Sequence, residues 1–401
     1  MLDARRLPNP EPARDETVPE VSVTIPCLNE ADTLAICIEK AQQSLRDHNI
    51  VAEIIVADNG STDGSQAIAA RMGAVVVSVQ EKGYGSALMG GIAVARGEFI
   101  IMGDADDSYD FREIPKFVEK LRQGFDLVQG CRLPSGGGTI KPGAMPFLHE
   151  RLGNPMFSLA ARRMFGAPVN DVYCGMRGFT KNLYLRLGQR CTGMEFATEM
   201  IIKASLFGEK IAEVPITLHP DGRKAHLPHL KTFRDGWRTL RFYLMCSPRW
   251  LFLIPGALLI LLGLAGYTIA ILGVRFRGIN FDAHTMLVAS LAILCGYQAI
   301  LFALFANTFA ITAGLLPDDP RMDRFFGVIN LEKGLIAGSG ALLLGLVLLG
   351  EAVNQWRQAG FGALDYAHTM RWVIPGATLT LLGFQTVLSS FFVSILGMHR
   401  R

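Results

Sequence analysis

At 401 residues the chain is too long for one ordinary domain, and half of its residues are apolar while only 19% are charged. A soluble globular protein carries about a quarter charged residues, so this balance excludes a wholly water-soluble chain and places the deficit in membrane segments. A formal net charge of +3 is too small to mark a nucleic-acid binder, and no nucleic-acid partner is expected.

Residues 1–17 are rich in proline and charge, with no apolar core of a signal peptide. They read as a disordered tail, and the domain that follows is expected in the cytoplasm. Residues 21–25 form a short β-rich run ending at Pro26, and 30–45 follow with helical spacing of Leu34, Ile38, Ala41 and Leu45. Further strands are predicted over 53–57, 74–78, 98–102, 126–129 and 211–216. Helices are predicted over 65–72, 86–95, 154–165 and 195–207, with another beginning at Phe111. Alternation of apolar strands with helices specifies an α/β, Rossmann-like domain over 18–228, its mostly parallel sheet covered by helices on both faces. Ligands of such sheets bind beyond the carboxyl ends of the strands, where Asn29, Asp58 and Asp104 all fall.

Between 229 and 247, Lys231, Arg234, Arg238 and Arg241 recur on one helical face, and Leu230, Phe233, Trp237, Leu240 and Leu244 on another. This is the pattern of a basic amphipathic helix lying in a bilayer interface; the alternative is a helix packed on the soluble domain. Residues 251–272 carry no charge and at 1.5 Å per residue extend roughly 33 Å, enough to cross a bilayer. Spans over 285–313, 334–353 and 373–396 complete a transmembrane domain, 248–401. Four spans put both ends on one side, here the cytoplasmic side of a cell (inner) membrane, with slight support from the loop charges. Arg249-Trp250 before Ile254-Pro-Gly-Ala257 is echoed by Arg371-Trp372 before Ile374-Pro-Gly-Ala377; a preference of both motifs for membrane interfaces accounts for the echo. Gln298 and Asn307 are polar and intramembrane, which suits helix–helix hydrogen bonding.

The chemistry is concentrated at Asp104-Ala-Asp106. Two carboxylates one residue apart, where an apolar strand ends, can face one hard cation, and Mg²⁺ is typically held by one or two carboxylates plus substrate phosphates. Pro26-Cys-Leu-Asn-Glu30 and Asp58-Asn-Gly-Ser-Thr-Asp-Gly64 are strand-to-helix turns rich in groups that bond to a base and ribose, or that cap helices. Lys82-Gly-Tyr-Gly85 allows close backbone approach to a nucleotide, or a plain turn. The seven cysteines include no Cys-x-x-Cys pair. They offer no zinc framework and read as small buried residues in a reducing compartment.

Together these segments resemble family 2 glycosyltransferases of the GT-A fold, through Ile25-Pro26-x-x-Asn29-Glu30, Asp58-Asn-Gly-Ser-x-Asp63-Gly64 and Gly97-Glu-x-Ile-x-Met-Gly-Asp104-Ala-Asp106. The similarity covers residues 21 to about 220, and the branch it resembles is the dolichyl- or polyprenyl-phosphate sugar synthases. The resemblance implies that Pro26, Glu30 and Asp58 hold the nucleotide, with Asn29 in the same loop. It also implies that Asp104 and Asp106 meet the diphosphate through Mg²⁺ or Mn²⁺, and that transfer inverts the anomeric carbon. Ser108 stands where many relatives have Gln. Arg132 and Arg177 match positions near the acceptor phosphate in that branch, and Arg223 precedes the interfacial helix; these three are the preferred acceptor residues, with Lys141 and Lys224 as further candidates.

A phosphate acceptor, with a second pKa near ~6, is largely dianionic at neutral pH and needs no general base. For a hydroxyl acceptor, Glu195 or Glu199, which share a helix face, would be the base. A processive polysaccharide synthase is the enzymatic rival, but the Gln of its Gln-x-x-Arg-Trp motif is Cys246 here. A nucleotidyltransferase would not explain the four spans, and intact site residues count against a non-catalytic scaffold. A nucleotide-sugar donor, a lipid-phosphate acceptor and the bilayer are the expected partners, and a homo-oligomer is compatible with them.

Overall fold

The computed structural model describes residues 18–223, 232–277, 279–313, 316–317 and 331–397. The chain divides into two compact units, one ending at Tyr243 and the other beginning at Leu244.

The first unit runs β1 (Val21–Cys27), α1 (Leu34–Asp47), β2 (Ala52–Asp58), α2 (Ser65–Arg71), β3 (Val75–Ser78), α3 (Tyr84–Val94), β4 (Phe99–Met102), α4 (Ile114–Arg122) and β5 (Leu127–Cys131). It continues through β6 (Thr139–Ile140), α5 (Asn154–Phe165), β7 (Arg177–Thr180), α6 (Lys181–Leu187), α7 (Glu195–Leu206), β8 (Ile211–Pro215), β9 (Thr217–Leu218) and all but the last two residues of α8 (Thr232–Met245). Seven strands form one sheet in the order β3-β2-β1-β4-β7-β5-β8, while β6 and β9 pair separately. Every residue of β1 is buried, as suits a central strand covered on both faces. Leu34, Cys37, Ile38, Ala41 and Leu45 of α1 are buried as their spacing requires.

The sheet is mostly parallel, with one exception. β7 lies antiparallel between β4 and β5, with Met102 opposite Arg177 and Val128 opposite Gly178. Its four residues follow a loop and include Arg and Gly, so neither periodicity nor β-propensity announces it. α1 begins at Leu34 rather than at residue 30, because the preceding loop is committed elsewhere. Asn29 adopts a left-handed conformation with φ 59°, which Asn tolerates better than most residues.

The expected interfacial helix spans Thr232–Met245, and its expected residues 229–231 lie outside the described ones. Tyr243 is fully enclosed, edge-on to Phe157 and Phe165 of α5, and its hydroxyl donates to the Phe157 carbonyl at 3.3 Å. Trp237 and Leu240 nonetheless remain 61% and 39% exposed. The helix therefore packs on the first unit through one face and leaves a second apolar face uncovered.

Among its described residues the second unit contains four helices long and apolar enough to cross a membrane: Arg249–Ile271, Ala283–Thr312, Leu331–Gln358 and Tyr366–Gly397. Each exceeds or matches the expected apolar stretch because helix geometry continues into polar flanks. Small residues let the backbones approach. A side chain at Gly256 would meet the Gly296 carbonyl at 2.8 Å, and one at Gly376 the Gly345 carbonyl at 3.1 Å. Hydroxyl and amide pairs join the helices, including Tyr267 with Ser290 at 2.6 Å and Gln385 with Gln298 at 3.0 Å.

Candidate active site

β1 pairs with β2 along its whole length but with β4 only from Val21 to Thr24. β4 ends at Met102, opposite Thr24, so β1 runs on past it at the point where strand order reverses, the place where a ligand crevice is expected. Pro26 lies in this last stretch, where its missing N–H costs no ladder bond toward β4. The loops after β1 and β2 are joined across the crevice rim. Asn29 N–H donates to Ser61 Oγ at 2.8 Å, Thr62 N–H to Asn29 Oδ1 at 2.8 Å, Glu30 N–H to Ser65 Oγ at 3.0 Å and Ala31 N–H to Asp63 Oδ2 at 2.9 Å. Asp58 accepts from the N–H groups of Gly60 and Ser61 and from Gln66. Burial opposes its charge, but these bonds prevail and hold its carboxyl below the usual range. Asn29 and Asp58 thus build the rim, while the Glu30 carboxylate points across it.

Asp104 and Asp106 follow β4. Tyr84, the first residue of α3, donates its hydroxyl to Asp104 Oδ1 at 2.8 Å. Ser108 donates both N–H and Oγ to Asp106 Oδ1, at 3.0 and 2.6 Å. Burial, and then the neighbouring Asp106 charge, push the Asp104 carboxyl up to about 6. Arg223 closes over the same place. Its guanidinium forks onto Glu30, with Nη2 to Oε1 at 2.6 Å and Nε to Oε1 at 2.8 Å, and Nη1 lies 3.3 Å from Asp106 Oδ2. One arginine therefore spans the expected nucleotide residue and the expected metal carboxylate. A buried site that draws a cation between carboxylates, with only hard oxygen donors, fits Mg²⁺ or Mn²⁺.

Residues 22–188 match the family described as Glycosyl transferase family 2, and residues 304–397 match its C-terminal transmembrane region. The low-salt glycan biosynthesis hexosyltransferase Agl6 of Haloferax volcanii is 39% identical over 386 residues, 96% of this chain and 91% of that protein. The chain belongs to glycosyltransferase family 2. From the same organism, a dolichyl-phosphate hexose transferase is 34% identical over 46% of this chain and 76% of its own. A glucosyl-3-phosphoglycerate synthase of Mycobacterium tuberculosis shares 24% identity over 56% of this chain and 80% of its own, with a TM-score of 0.44. The protein is thus a glycosyltransferase with a GT-A domain and a multi-pass membrane region.

The remaining expected residues of this glycosyltransferase lie in different settings. Arg132 is buried and forks onto Asp171, Nε to Oδ2 at 2.7 Å and Nη2 to Oδ1 at 2.9 Å, with Nη1 3.3 Å from the Tyr109 hydroxyl. Arg177 is fully buried in β7 and donates to the Cys174 and Ala197 carbonyls. Both arginines are thus buried with partners inside the domain, while among the described residues Arg223 is the acceptor candidate paired with Glu30 and Asp106. Glu199 accepts from Arg190 and Cys191 N–H and pairs with Lys203 at 2.6 Å. It anchors the loop before α7. Glu195 lies 3.9 Å from Arg238 of α8. Lys141 is exposed, and Lys224 lies outside the described residues.

Lys82-Gly-Tyr-Gly85 packs against protein backbone. Side chains at Gly83 and Gly85 would collide with carbonyls of Thr192 and Cys191, and Ser86 N–H donates to the Thr192 carbonyl at 3.1 Å. Asn59 clamps the same turn, accepting from Gly83 N–H at 2.8 Å and donating to the Val79 and Glu81 carbonyls. Tyr84, Tyr109 and Asp171 were not singled out as site residues by sequence; a Tyr opening a helix and an Asp in a loop carry no distinguishing local signal. Of the seven cysteines expected as small buried residues, 27, 37, 131 and 174 are buried, and burial raises each of their thiols; Cys191 and Cys246 are only half-buried and Cys295 is exposed, contrary to that expectation.

Proposed function

We propose that this glycosyltransferase moves a hexose from a GDP- or UDP-linked sugar to a polyprenyl or dolichyl phosphate at the cytoplasmic face of the cell membrane, inverting the anomeric carbon. The observation that carries the proposal is the bridging of Glu30 and Asp106 by Arg223, beside Asp104, in a domain whose last helix leaves an apolar face uncovered. The likeness to a dolichyl-phosphate hexose transferase supports the acceptor class.

Asp104 and Asp106 would hold Mg²⁺ or Mn²⁺, which when bound offsets charge on the departing nucleoside diphosphate. Glu30, released from Arg223, accepts hydrogen bonds from the nucleoside, on a rim kept in shape by Pro26, Asn29 and Asp58. An acceptor phosphate oxygen forms the new bond to the anomeric carbon as the bond to the donor diphosphate breaks, and the electron pair leaves with the nucleoside diphosphate. Arg223 offsets repulsion between the two phosphate groups. No residue need take a proton, because the acceptor is already ionised. The commitment of Glu199 to backbone N–H groups disfavours a hydroxyl acceptor served by that base.

The test is incubation of full-length protein with a panel of labelled nucleotide sugars and polyprenyl phosphate, with and without EDTA. Label should enter the lipid fraction from one or a few donors and be lost on chelation. Label appearing only in free sugar or polysaccharide would overturn the acceptor assignment.

A further inference from the structure

Each of the two candidate metal carboxylates has one oxygen tied by a hydroxyl from the chain. Tyr84 fixes Asp104 Oδ1, and Ser108 fixes Asp106 Oδ1 through both its hydroxyl and its N–H. Among the described residues, the other oxygens carry no such hydroxyl tie. Asp106 Oδ2 faces the Arg223 guanidinium at 3.3 Å. Asp104 Oδ2 lies against Gly175, close enough that a side chain there would stand 2.8 Å from it. We infer that Tyr84 and Ser108 are positioning residues that preset Asp104 and Asp106 as single-oxygen metal ligands.

The physical basis is the freedom of a carboxylate. Rotation about its terminal torsion is broad, so an untied Asp offers a cation one oxygen, two, or a changing choice. A tie at Oδ1 removes that choice before the cation arrives and leaves coordination positions for substrate phosphate oxygens, which Mg²⁺ in an octahedral shell requires. Partners that orient ligands in this way typically change metal affinity by 10–100-fold when removed.

Both ties come from well-held groups. Tyr84 opens α3 directly after Gly83, whose N–H is clamped by Asn59. The Gly83–Gly85 turn abuts the backbone of residues 191–193, which fixes the backbone that carries Tyr84. Ser108 is buried, and its carbonyl accepts from His219 N–H at 2.9 Å. Ser108 thereby acquires a task its short side chain can perform: it acts through Asp106.

The inference rests on the metal assignment proposed above, and the experiment separates the two. Mn²⁺ binding to full-length protein in detergent is followed by electron paramagnetic resonance of free Mn²⁺, with UDP and, separately, GDP present. Tyr84→Phe and Ser108→Ala should each raise the Mn²⁺ Kd about 10-fold, while Ser108→Thr, which keeps the hydroxyl, stays near the parent value. Tyr243→Phe removes a remote buried hydroxyl and should leave Mn²⁺ binding unchanged. Transfer rates at saturating Mn²⁺ should recover in the two weakened variants. If Tyr84→Phe does not fold, the Ser108→Ala and Ser108→Thr pair carries the test. Unchanged Mn²⁺ affinity in folded Tyr84→Phe and Ser108→Ala overturns the inference while leaving the metal assignment standing. Failure of the parent protein to take up Mn²⁺ with either nucleotide overturns both.

Discussion

Asp171 is completely buried, and its carboxylate receives three hydrogen bonds from Arg132. Two ions so enclosed are tolerated only as a pair. Removing one partner leaves an uncompensated charge and costs about 3–5 kcal/mol. Asp171→Ala should therefore lower the midpoint of thermal unfolding by several degrees, as measured by circular dichroism, even with no substrate present. Asp106→Ala has the opposite profile: Asp106 is a loop carboxylate facing Arg223, and its loss should abolish transfer while leaving the thermal midpoint within a few degrees of the parent. Asp104 adds a pH dependence. Its carboxyl is raised from 3.8 to about 6, by burial first and Asp106 second. The folded, metal-free site therefore binds a proton more tightly than the unfolded chain, and its contribution to stability declines as pH rises from 3.8 through about 6. A divalent cation must displace that proton, so apparent Mn²⁺ affinity should fall as pH is lowered through about 6; a flat titration across that window would contradict the assignment.

At the scale of elements, α8 and the membrane helices show how one amphipathic pattern serves two purposes. Thr239 and Tyr243 of α8 are buried, while Trp237 and Leu240 are exposed on a different face. Tyr243 fills the angle between Phe157 and Phe165, with ring centroids 6.0 and 5.5 Å away. Tyr243→Ala should cost about 3–5 kcal/mol, the range for emptying an aromatic site, and free α8 for proteolysis. The Pro-Gly echo also has an element-level cause beyond interface preference. Gly256 and Gly376 each stand at a close helix crossing, against Gly296 and Gly345, where close packing drives association in lipid.

At the scale of the whole molecule, the chain is two compact units that part at Tyr243 and Leu244. The sheet, the crevice and its carboxylates belong entirely to the first. A chain ending after Cys246 should fold cooperatively by circular dichroism, bind nucleoside diphosphate and sediment with anionic vesicles through the uncovered face of α8. Vesicle binding that persists unchanged in Trp237→Glu would show that this face is not the contact.

The sequence by itself determined the α/β class, the strand ends that carry Asp58 and Asp104, the four apolar spans and the family, because periodicity, apolar length and strand-to-helix turns are local properties. It did not contain β7, whose antiparallel place between β4 and β5 exists only through its neighbours' ladders. It also left Arg132, Arg177 and Arg223 equivalent, since an arginine's partner is a matter of approach between residues distant in the chain. Only the tertiary structure separated them: Arg132 onto Asp171, Arg177 into the sheet and Arg223 across the crevice to Glu30 and Asp106. The bonds from Ser108 to Asp106 Oδ1 were likewise visible only there, because which oxygen a hydroxyl meets depends on the path of the loop, which composition does not encode.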